Sequence, residues 1–169
     1  MHNNPYTPFL PPMPVTTLRH LRATLSAAAL LLAACSPITV YHRFRDVAAE
    51  GWEHGDTVLF IIDSISSSDT YRFELDVRTT PQFPFQKLWL VVDRHFSAPE
   101  LYRRDTVECV LATPEGNITG RGVSLYAYTF SLPPLPLTQG QHGHIAVSHI
   151  MRRDLLEGVS DIGIKILRQ

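Results

Sequence analysis

The sequence predicts an all-β fold, a β-sandwich of about seven to eight antiparallel strands of the immunoglobulin-like or jelly-roll type. From Gly51 onward, apolar residues either alternate with polar ones or form short continuous runs, the two patterns that β-strands produce. Clusters of Gly, Pro, Ser and Asp separate these runs, as turns do in an antiparallel sheet. Because residues 51–169 have the length of one typical domain, we predict a single sandwich there.

Seven segments are predicted to be strands. The clearest is residues 71–78 (YRFELDVR), whose aromatic and aliphatic residues share one face while its charged residues share the other, as in a strand with one wet side. Residues 144–151 also alternate, and we expect Ile145, Val147 and His149 on the same face. The seven predicted strands are residues 57–63, 71–78, 87–96, 106–112, 123–132, 144–151 and 161–167.

The connections carry turn-forming residues. Residues 64–69 (SISSSD) are polar, and residues 113–117 (TPEGN) place Pro early and Gly late in a compact turn. Residues 132–137 (LPPLPL) are predicted to be an extended loop along the domain. Residues 152–158 (RRDLLEG) are predicted to form one or two helical turns closed by Gly158.

The N-terminal part has the order of a secretory signal. Arg19, His20 and Arg22 precede an apolar run over residues 25–34, which is too short to span a bilayer and suits a signal peptide. The run ends in Leu-Ala-Ala before Cys35, which matches a bacterial lipobox. We predict that residues 1–34 are a signal peptide, with Met13 as an alternative start, and that Cys35 is the acylated N-terminus of the mature chain.

The segment behind the cysteine contains no Gly and a single Pro. We therefore expect residues 35–50 to form the lipidated N-terminus and a short tether, which keeps the domain close to its membrane. Removing residues 1–34 takes away Arg19 and Arg22 but no acidic residue, so the mature part is more acidic than the whole chain, whose net charge is −1. Nucleic acid is therefore not an expected partner.

The second cysteine, Cys109, lacks a partner if Cys35 is acylated. It alternates with Val107 and Leu111 in residues 106–112 (TVECVLA), and we interpret it as a small buried hydrophobic residue. No intramolecular disulfide and no reactive thiol are expected.

The densest group of candidate metal ligands is Gln141-His142-Gly143-His144 together with His149. A His-x-His pair on a strand places two imidazoles on one side about 7 Å apart, but His149 falls on the opposite face of a regular strand. Zinc needs a third protein ligand. We predict solvated histidines at a turn and a strand edge, with no metal and no other cofactor.

Signatures of familiar enzymes are missing from the sequence: it holds no G-x-S-x-G elbow, phosphate-binding loop, H-E-x-x-H or paired C-x-x-C. Glu74, Asp76 and Asp93 invite a glycosidase interpretation. However, Glu74 and Asp76 alternate with Arg72 and Arg78 on the predicted wet face, which favours cross-strand ion pairs. We predict a protein without catalytic residues.

Aromatic residues leave a binding function open. Trp52, Trp89, Tyr126 and Tyr128 would suit a sugar-stacking platform if they were exposed, but core packing is the more ordinary role. For Trp89, within KLWLVV, we expect core packing.

A series of short landmarks runs along the mature chain in a fixed order: the lipobox, Val40-Tyr41, Gly51-Trp52, residues 83–90 (FPFQKLWL), residues 105–108 (DTVE), residues 111–116 (LATPEG), Gly120-Arg121-Gly122, Met151-Arg152 and residues 158–163 (GVSDIG). This series resembles the gliding-motility lipoprotein family GldH of Bacteroidetes over nearly the whole mature chain. One departure is the segment Gly116-Asn117-Ile118-Thr119-Gly120, where the family usually has a tryptophan in a G-x-W-L-G-x-G pattern, so no role of that tryptophan carries over.

The resemblance implies a membrane-anchored accessory of the gliding and type IX secretion machinery, with no known catalytic residues. The implied partners are the membrane, reached through the N-terminal lipid, and other envelope lipoproteins or motility and secretion proteins. The alternative is a glycan-binding surface lipoprotein. Surface export of Bacteroidetes lipoproteins uses acidic residues just after the cysteine, and residues 36–40 (SPITV) have none, which favours a domain in the cell envelope that faces the periplasm.

Overall fold

A computed structural model describes residues 37–169 of the chain, and every regular element in this range is a β-strand. The predicted signal peptide and Cys35 lie outside the described residues. No helix in the described part is long and apolar enough to cross a membrane. The strands are β1 (Ile38–Asp46), β2 (Trp52–Glu53), β3 (Val58–Ile62), β4 (Asp69–Thr79), β5 (Lys87–Ser97), β6 (Leu101–Val110), β7 (Tyr126–Leu137), β8 (His142–His149), β9 (Leu155–Leu156) and β10 (Val159–Arg168).

The eight long strands form two antiparallel four-stranded sheets. The first sheet has the order β1-β10-β4-β7, the second has the order β3-β8-β5-β6, and β2 and β9 form a separate two-residue pair. If the eight long strands are numbered 1 to 8 in chain order, the two sheets have the strand orders 1-8-3-6 and 2-7-4-5, which is the order of a jelly roll. The predicted all-β sandwich is confirmed, and of the two types left open the strand order selects the jelly roll.

The core lies between the two sheets and is built from alternate residues of each strand. Tyr71, Phe73, Leu75 and Val77 of β4 have no exposed surface, so the predicted inward face of residues 71–78 is confirmed. The second sheet supplies a matching set from β5, including Leu88, Leu90, Val92 and Phe96. Each fully buried side chain of this size contributes about 1.5–3 kcal/mol to folding.

The boundary expected at Gly51 is corrected by β1. Residues 38–46, expected to belong to the tether, pair with β10 from Ile38 opposite Arg168 to Asp46 opposite Asp161. The sandwich therefore begins at Ile38. The sequence did not indicate this strand because β1 is an edge strand whose exposed positions include charged residues on both sides of its pleat.

The predicted helical turns at residues 152–158 are also corrected. Leu155 and Leu156 form β9, opposite Glu53 and Trp52. Leu156 is buried, and packing of this kind outweighs a weak local preference for helix. Gly158 has the positive φ of 87° expected of it, but it serves a turn between β9 and β10 rather than a helix end.

The proline-rich segment at residues 132–137, expected to be a loop, is the second half of β7. This strand lies at the edge of the first sheet, where prolines are tolerated because one side of the strand needs no N–H donors. The register with β4 shifts between Tyr71 and Phe73, which face Leu135 and Leu132. Pro133 and Pro134 fall within this bulge.

Candidate partner-binding surface

The histidines of β8 point to different sides of the second sheet. His144 is half-buried on the outer face and stacks on His95 of β5, with ring centroids 5.4 Å apart and planes 2° from parallel. His149 is buried on the inner face, with Ile145 and Val147, so the predicted alternation along β8 is confirmed. His142 is exposed at the start of the strand. Within residues 37–169, no group of three or more His, Cys, Asp or Glu residues is arranged to hold a metal ion.

His149 serves the packing of the β2–β9 pair against the second sheet. Its Nε2 donates to the carbonyl oxygen of Trp52 at 3.2 Å, and its ring makes edge contacts with the rings of Trp52 and His54. Nδ1 is buried without a partner among the described residues. Burial lowers the pKa of His149, so the imidazole is held neutral.

The carboxylates on the outer face of the first sheet are engaged with neighbours. Glu74 of β4 accepts a hydrogen bond at 3.1 Å from Lys165, which lies directly opposite on β10. Asp76 accepts from Thr129 Oγ1 at 2.5 Å and lies 3.1 Å from Nε2 of His42. For Glu74, the expected cross-strand ion pair is confirmed.

The third candidate carboxylate, Asp93, lies on the outer face of the second sheet. It accepts two hydrogen bonds from Arg104, at 2.7 and 2.8 Å, and one from the Tyr102 hydroxyl at 2.6 Å. The hydrogen bonds from Arg104 are the main reason that the pKa of Asp93 is lowered, and the hydrogen bond from Tyr102 lowers it further. Because Asp93 is on another sheet from Glu74 and Asp76, the three do not form a paired-carboxylate site.

The four candidate aromatic residues do not form one platform. Trp52 is buried, as is Tyr128, whose hydroxyl donates to the carbonyl oxygen of Leu111. The expectation that Trp89 packs in the core is wrong, because 38% of its surface is exposed. Leu88 and Leu90 take the inward positions of β5, so Trp89 between them points outward.

Three rings and one aliphatic side chain form a row across the outer face of the second sheet. Ile61 of β3, His144 of β8, His95 of β5 and Tyr102 of β6 are successive partners across all four strands, and we call them the ring row. The rings of His95 and Tyr102 are 4.9 Å apart. Ile61 and Tyr102, at the two ends, are each 51% exposed.

The ring row continues into further exposed apolar residues. Leu59, two residues before Ile61 on β3, is 46% exposed, and Trp89 lies on the same outer face of β5. Most outward positions of a wet sheet face are polar, so apolar residues at these positions were a signal that sequence reasoning did not use. A rigid face with aromatic and aliphatic residues among polar ones has the composition of a binding surface.

Next to this face, the two sheets leave an open seam between β1 and β3. A groove of about 800 Å³ is lined by Tyr41 and Arg43 of β1, by Ile62 at the end of β3, and by Tyr71 beneath them. A second groove of about 480 Å³ continues along the first half of β3, and Arg45 lines both. Burial raises the pKa of Tyr41 while Arg45 and Arg43 act against this shift, as expected in a half-open cationic groove.

A buried arginine on the second sheet forms an ion pair within that sheet and a hydrogen bond to the first sheet. Arg94 of β5, which has no exposed surface, donates Nη2 to Asp105 at 2.5 Å and Nη1 to the carbonyl oxygen of Pro133 at 2.7 Å. Its guanidinium lies 4.7 Å from the ring centre of Phe73. The Pro133 carbonyl lies within the bulge of β7. Because no part of this arginine is accessible, its role is structural.

Cys109 is fully buried in β6, as the sequence predicted. Burial raises the pKa of its thiol to about 12. The nucleophilic form of cysteine is the thiolate, so this side chain is inert in the folded protein.

Comparison with known proteins gives one match that spans the domain. The family model described as "GldH lipoprotein" matches residues 39–166. The gliding motility lipoprotein GldH of Flavobacterium johnsoniae is 28% identical over 99 residues, which cover 58% of this chain and 60% of that protein. The chain thus matches less than two thirds of the length of this relative.

Two solved structures align over most of the chain at low similarity. The Eiger TNF structure from S. frugiperda has 13% identity, covers 76% of this chain and 85% of that one, and gives a TM-score of 0.33. A family 16 carbohydrate binding module has 9% identity, coverage of 75% and 86%, and a TM-score of 0.28. At TM-scores this low, neither alignment bears on function.

Proposed function

Because this chain belongs to the GldH lipoprotein family, we propose that it is a non-catalytic accessory or assembly factor of the gliding-motility and type IX secretion machinery. In this proposal Cys35 carries the lipid that anchors it, and the domain binds other envelope proteins from the periplasmic side. The comparison with the Flavobacterium johnsoniae protein, named for gliding motility, supports the motility part of the proposal.

The observation that supports a binding role is the outer face of the second sheet. Leu59, Ile61, Trp89 and Tyr102 expose apolar surface from a hydrogen-bonded sheet. Tyrosine and tryptophan often dominate binding energy at protein interfaces. A surface that is already ordered loses little conformational entropy when a partner binds.

The position of β1 supports attachment close to a membrane. The strand begins at Ile38, so only Ser36 and Pro37 separate it from the predicted acylated cysteine. One acyl chain binds a membrane only marginally, whereas two or more hold firmly, which is what a diacylglyceryl cysteine supplies. The neutral residues 36–40 favour a domain that stays on the periplasmic side.

The polar side chains support a role without catalysis. Asp93 is held by Arg104 and Tyr102, Glu74 by Lys165, and His149 is buried as a neutral ring. Each of these groups is engaged in holding strands or loops together. A general acid or base instead needs access to a substrate and a pKa near the working pH.

Glycan binding is the second candidate function, and one observation favours it. The exposed rings of Trp89 and Tyr102 lie on the same sheet face as the stacked imidazoles of His95 and His144. Flat rings on a rigid sheet can stack on sugar rings. This function predicts binding to isolated oligosaccharides without any protein partner.

Deletion of the gene and complementation test the proposal. We expect deletion to reduce gliding or type IX secretion and to lower the level of at least one other envelope protein. Wild-type protein restores both, and the Trp89→Ala, Tyr102→Ala double variant does not. Normal motility, secretion and envelope protein levels after deletion contradict the accessory role. Oligosaccharide binding that this double variant abolishes favours the glycan function instead.

A further inference from the structure

We propose that the free edge of β3 accepts an extended strand from a partner protein, and that this strand carries acidic residues where it faces the larger groove between β1 and β3. The inference rests on the proposed function and specifies how the partner is bound. It follows from three features of the structure: the composition of the sheet edges, the open space beside β3, and the charge within that space.

The two main sheets have four edge strands, and three of them carry features that hinder pairing with another chain. β7 contains Pro133, Pro134 and Pro136. β6 contains Arg103, Arg104 and Glu108, and β1 contains His42, Arg43, Arg45 and Asp46. Prolines and charges on edge strands are common protections against unwanted strand addition.

The fourth edge strand, β3, has no such protection. Its sequence is Val-Leu-Phe-Ile-Ile, without a charge or a proline. It pairs with β8 on one side only, and in an antiparallel strand alternate N–H and C=O groups then point away from the pair. Leu59 and Ile61 are exposed on its outer face. An uncharged, apolar edge of this kind is a template for strand addition.

Grooves border β3 at both of its ends. The groove of about 800 Å³ lies beside Ile61 and Ile62, and the groove of about 480 Å³ lies beside Val58 and Leu59. Strands added to a sheet lie about 4.8 Å from their neighbour. No described strand pairs with the outer edge of β3, and the grooves give an incoming backbone access to it.

The charge in the larger groove indicates which partner strand fits. Arg43 and Arg45 are exposed there, and neither forms an ion pair with another residue of the described range 37–169. Asp63 is the acidic residue among those that line this groove, so the larger groove keeps an excess of positive charge, whereas Asp46 and Asp56 line the smaller groove beside Arg45. Acidic residues on the inner side of an added strand would compensate it.

The outer side of the added strand should be apolar, because its residues would lie next to Leu59 and Ile61. Since successive residues of a strand point to opposite sides, we expect apolar and acidic residues to alternate in the partner strand. A second copy of this chain fits less well. The paired part of a second β3, Val58–Ile62, would bring no acidic residue to Arg43 and Arg45, since the nearest ones, Asp56 and Asp63, lie outside the strand.

Binding of a short peptide to the full chain in detergent micelles tests the inference. The probe is the blocked peptide VEVEVEV, and the readout is amide hydrogen exchange. We expect the peptide to slow exchange in Val58–Ile62 and to leave β6, the other edge of the same sheet, unchanged. Two N-methylated peptides, one methylated on every valine and one on every glutamate, complete the probe set. A strand uses one edge of its backbone, so one of the two should lose binding and the other keep it.

Substitutions test separately the apolar edge of β3 and the two arginines of β1. Leu59→Lys with Ile61→Lys should weaken peptide binding at least about tenfold, because it places charges on the edge. Val110→Lys on β6, at the same 46% exposure as Leu59, is the matched control and should have no effect. Arg43→Glu with Arg45→Glu should also weaken binding and should favour VKVKVKV over VEVEVEV. Arg121→Glu with Arg152→Glu, two exposed arginines elsewhere, controls for net charge.

Several results would overturn the inference. These are no slowing of exchange in β3, equal binding of both N-methylated peptides, or equal binding of the lysine and glutamate peptides to the wild-type chain. Self-association that Leu59→Lys with Ile61→Lys abolishes would assign the edge to a second copy instead.

The complementation assay separates this inference from the proposed function. If the Leu59→Lys, Ile61→Lys variant restores gliding and secretion in a deletion strain, the accessory function stands and strand addition is not its basis. If peptide binding follows the expected pattern but deletion has no effect on motility, secretion or envelope proteins, the edge site stands and the proposed function fails.

Discussion

Arg94 and Asp105 lie diagonally across adjacent strands of the second sheet and form an ion pair with 2.5 Å between Nη2 and Oδ2, and the arginine side chain is fully buried. Burial lowers the pKa of Arg94, and its hydrogen bond to Asp105 opposes this effect. Removing a charge from water costs several kcal/mol, which the partner must offset. The pair therefore stabilises the fold only while both members are present.

We predict that Asp105→Ala lowers the free energy of unfolding by about 3–5 kcal/mol, because it leaves a buried guanidinium without its carboxylate. Urea unfolding measures the change. Glu108→Ala, which removes the exposed ion pair with Lys87 on the same two strands, is the control and should cost no more than about 1 kcal/mol. Arg94→Met together with Asp105→Leu should recover most of the loss. If Asp105→Ala and Glu108→Ala lowered the free energy of unfolding equally, burial of the Arg94–Asp105 pair would not explain its effect on stability.

Stability should fall as the solution becomes mildly acidic. The folded pKa of His149 is lowered by burial from its ordinary 6.5, so below that pH the unfolded chain binds a proton that the folded chain excludes. The stability that folding gains from the neutral His149 ring is fully present above pH 6.5 and is lost as the pH falls toward the pKa of His149 in the folded state. Unfolding curves between pH 7.5 and about 5 test this.

His149→Gln should flatten this pH dependence while lowering stability at neutral pH. The matched control is His142→Gln, since His142 is exposed at the other end of the same strand. A pH dependence that is the same in wild type and His149→Gln would exclude His149 as its source.

The other two histidines of β8 should matter little for stability. We predict that His142→Ala with His144→Ala costs no more than about 1 kcal/mol, the usual effect of surface substitutions plus the loss of one ring contact. Metal analysis of the purified protein should find no stoichiometric zinc. A loss of several kcal/mol, or one zinc per chain, would contradict the prediction of solvated histidines without a metal.

Cys35→Ser should release the protein from membranes or leave it unprocessed, because the serine cannot take the thioether-linked lipid. Detergent-phase partitioning and the size of the protein on a gel measure both outcomes. Cys109→Ser is the control and should leave partitioning unchanged, because Cys109 is buried in β6. Retention of the Cys35→Ser protein in the detergent phase at its mature size would show that the anchor lies elsewhere.

The sequence predicted strands best where one face is dry and the other wet. In β4 the two faces differ at every position, so alternation identifies both the strand and its orientation. In β5 the run Leu88-Trp89-Leu90 is apolar on both faces, and periodicity cannot tell which side Trp89 takes. In β1 charges occupy inward positions beside an open seam, so the pattern of a buried strand is absent.

The candidate surface was beyond sequence reasoning for a different reason. Ile61, His95, Tyr102 and His144 lie on four strands, and what joins them is the register between strands. Register depends on the packing of the whole sandwich. Each residue could be assigned to a strand or its edge, but their alignment into one row could not be derived from the order of the chain.

Because Cys109 is buried in the folded protein, its reaction with thiol reagents reports how often the protein unfolds. A thiol whose pKa is about 12 in the folded state returns to an ordinary cysteine pKa when β6 opens, and a reagent or oxidant can then trap it. Labelling of this single side chain thus measures how often the sandwich opens. In an oxidising compartment, each opening would also expose the thiol to disulfide formation with another molecule, so slow unfolding would protect the protein as well as high equilibrium stability does.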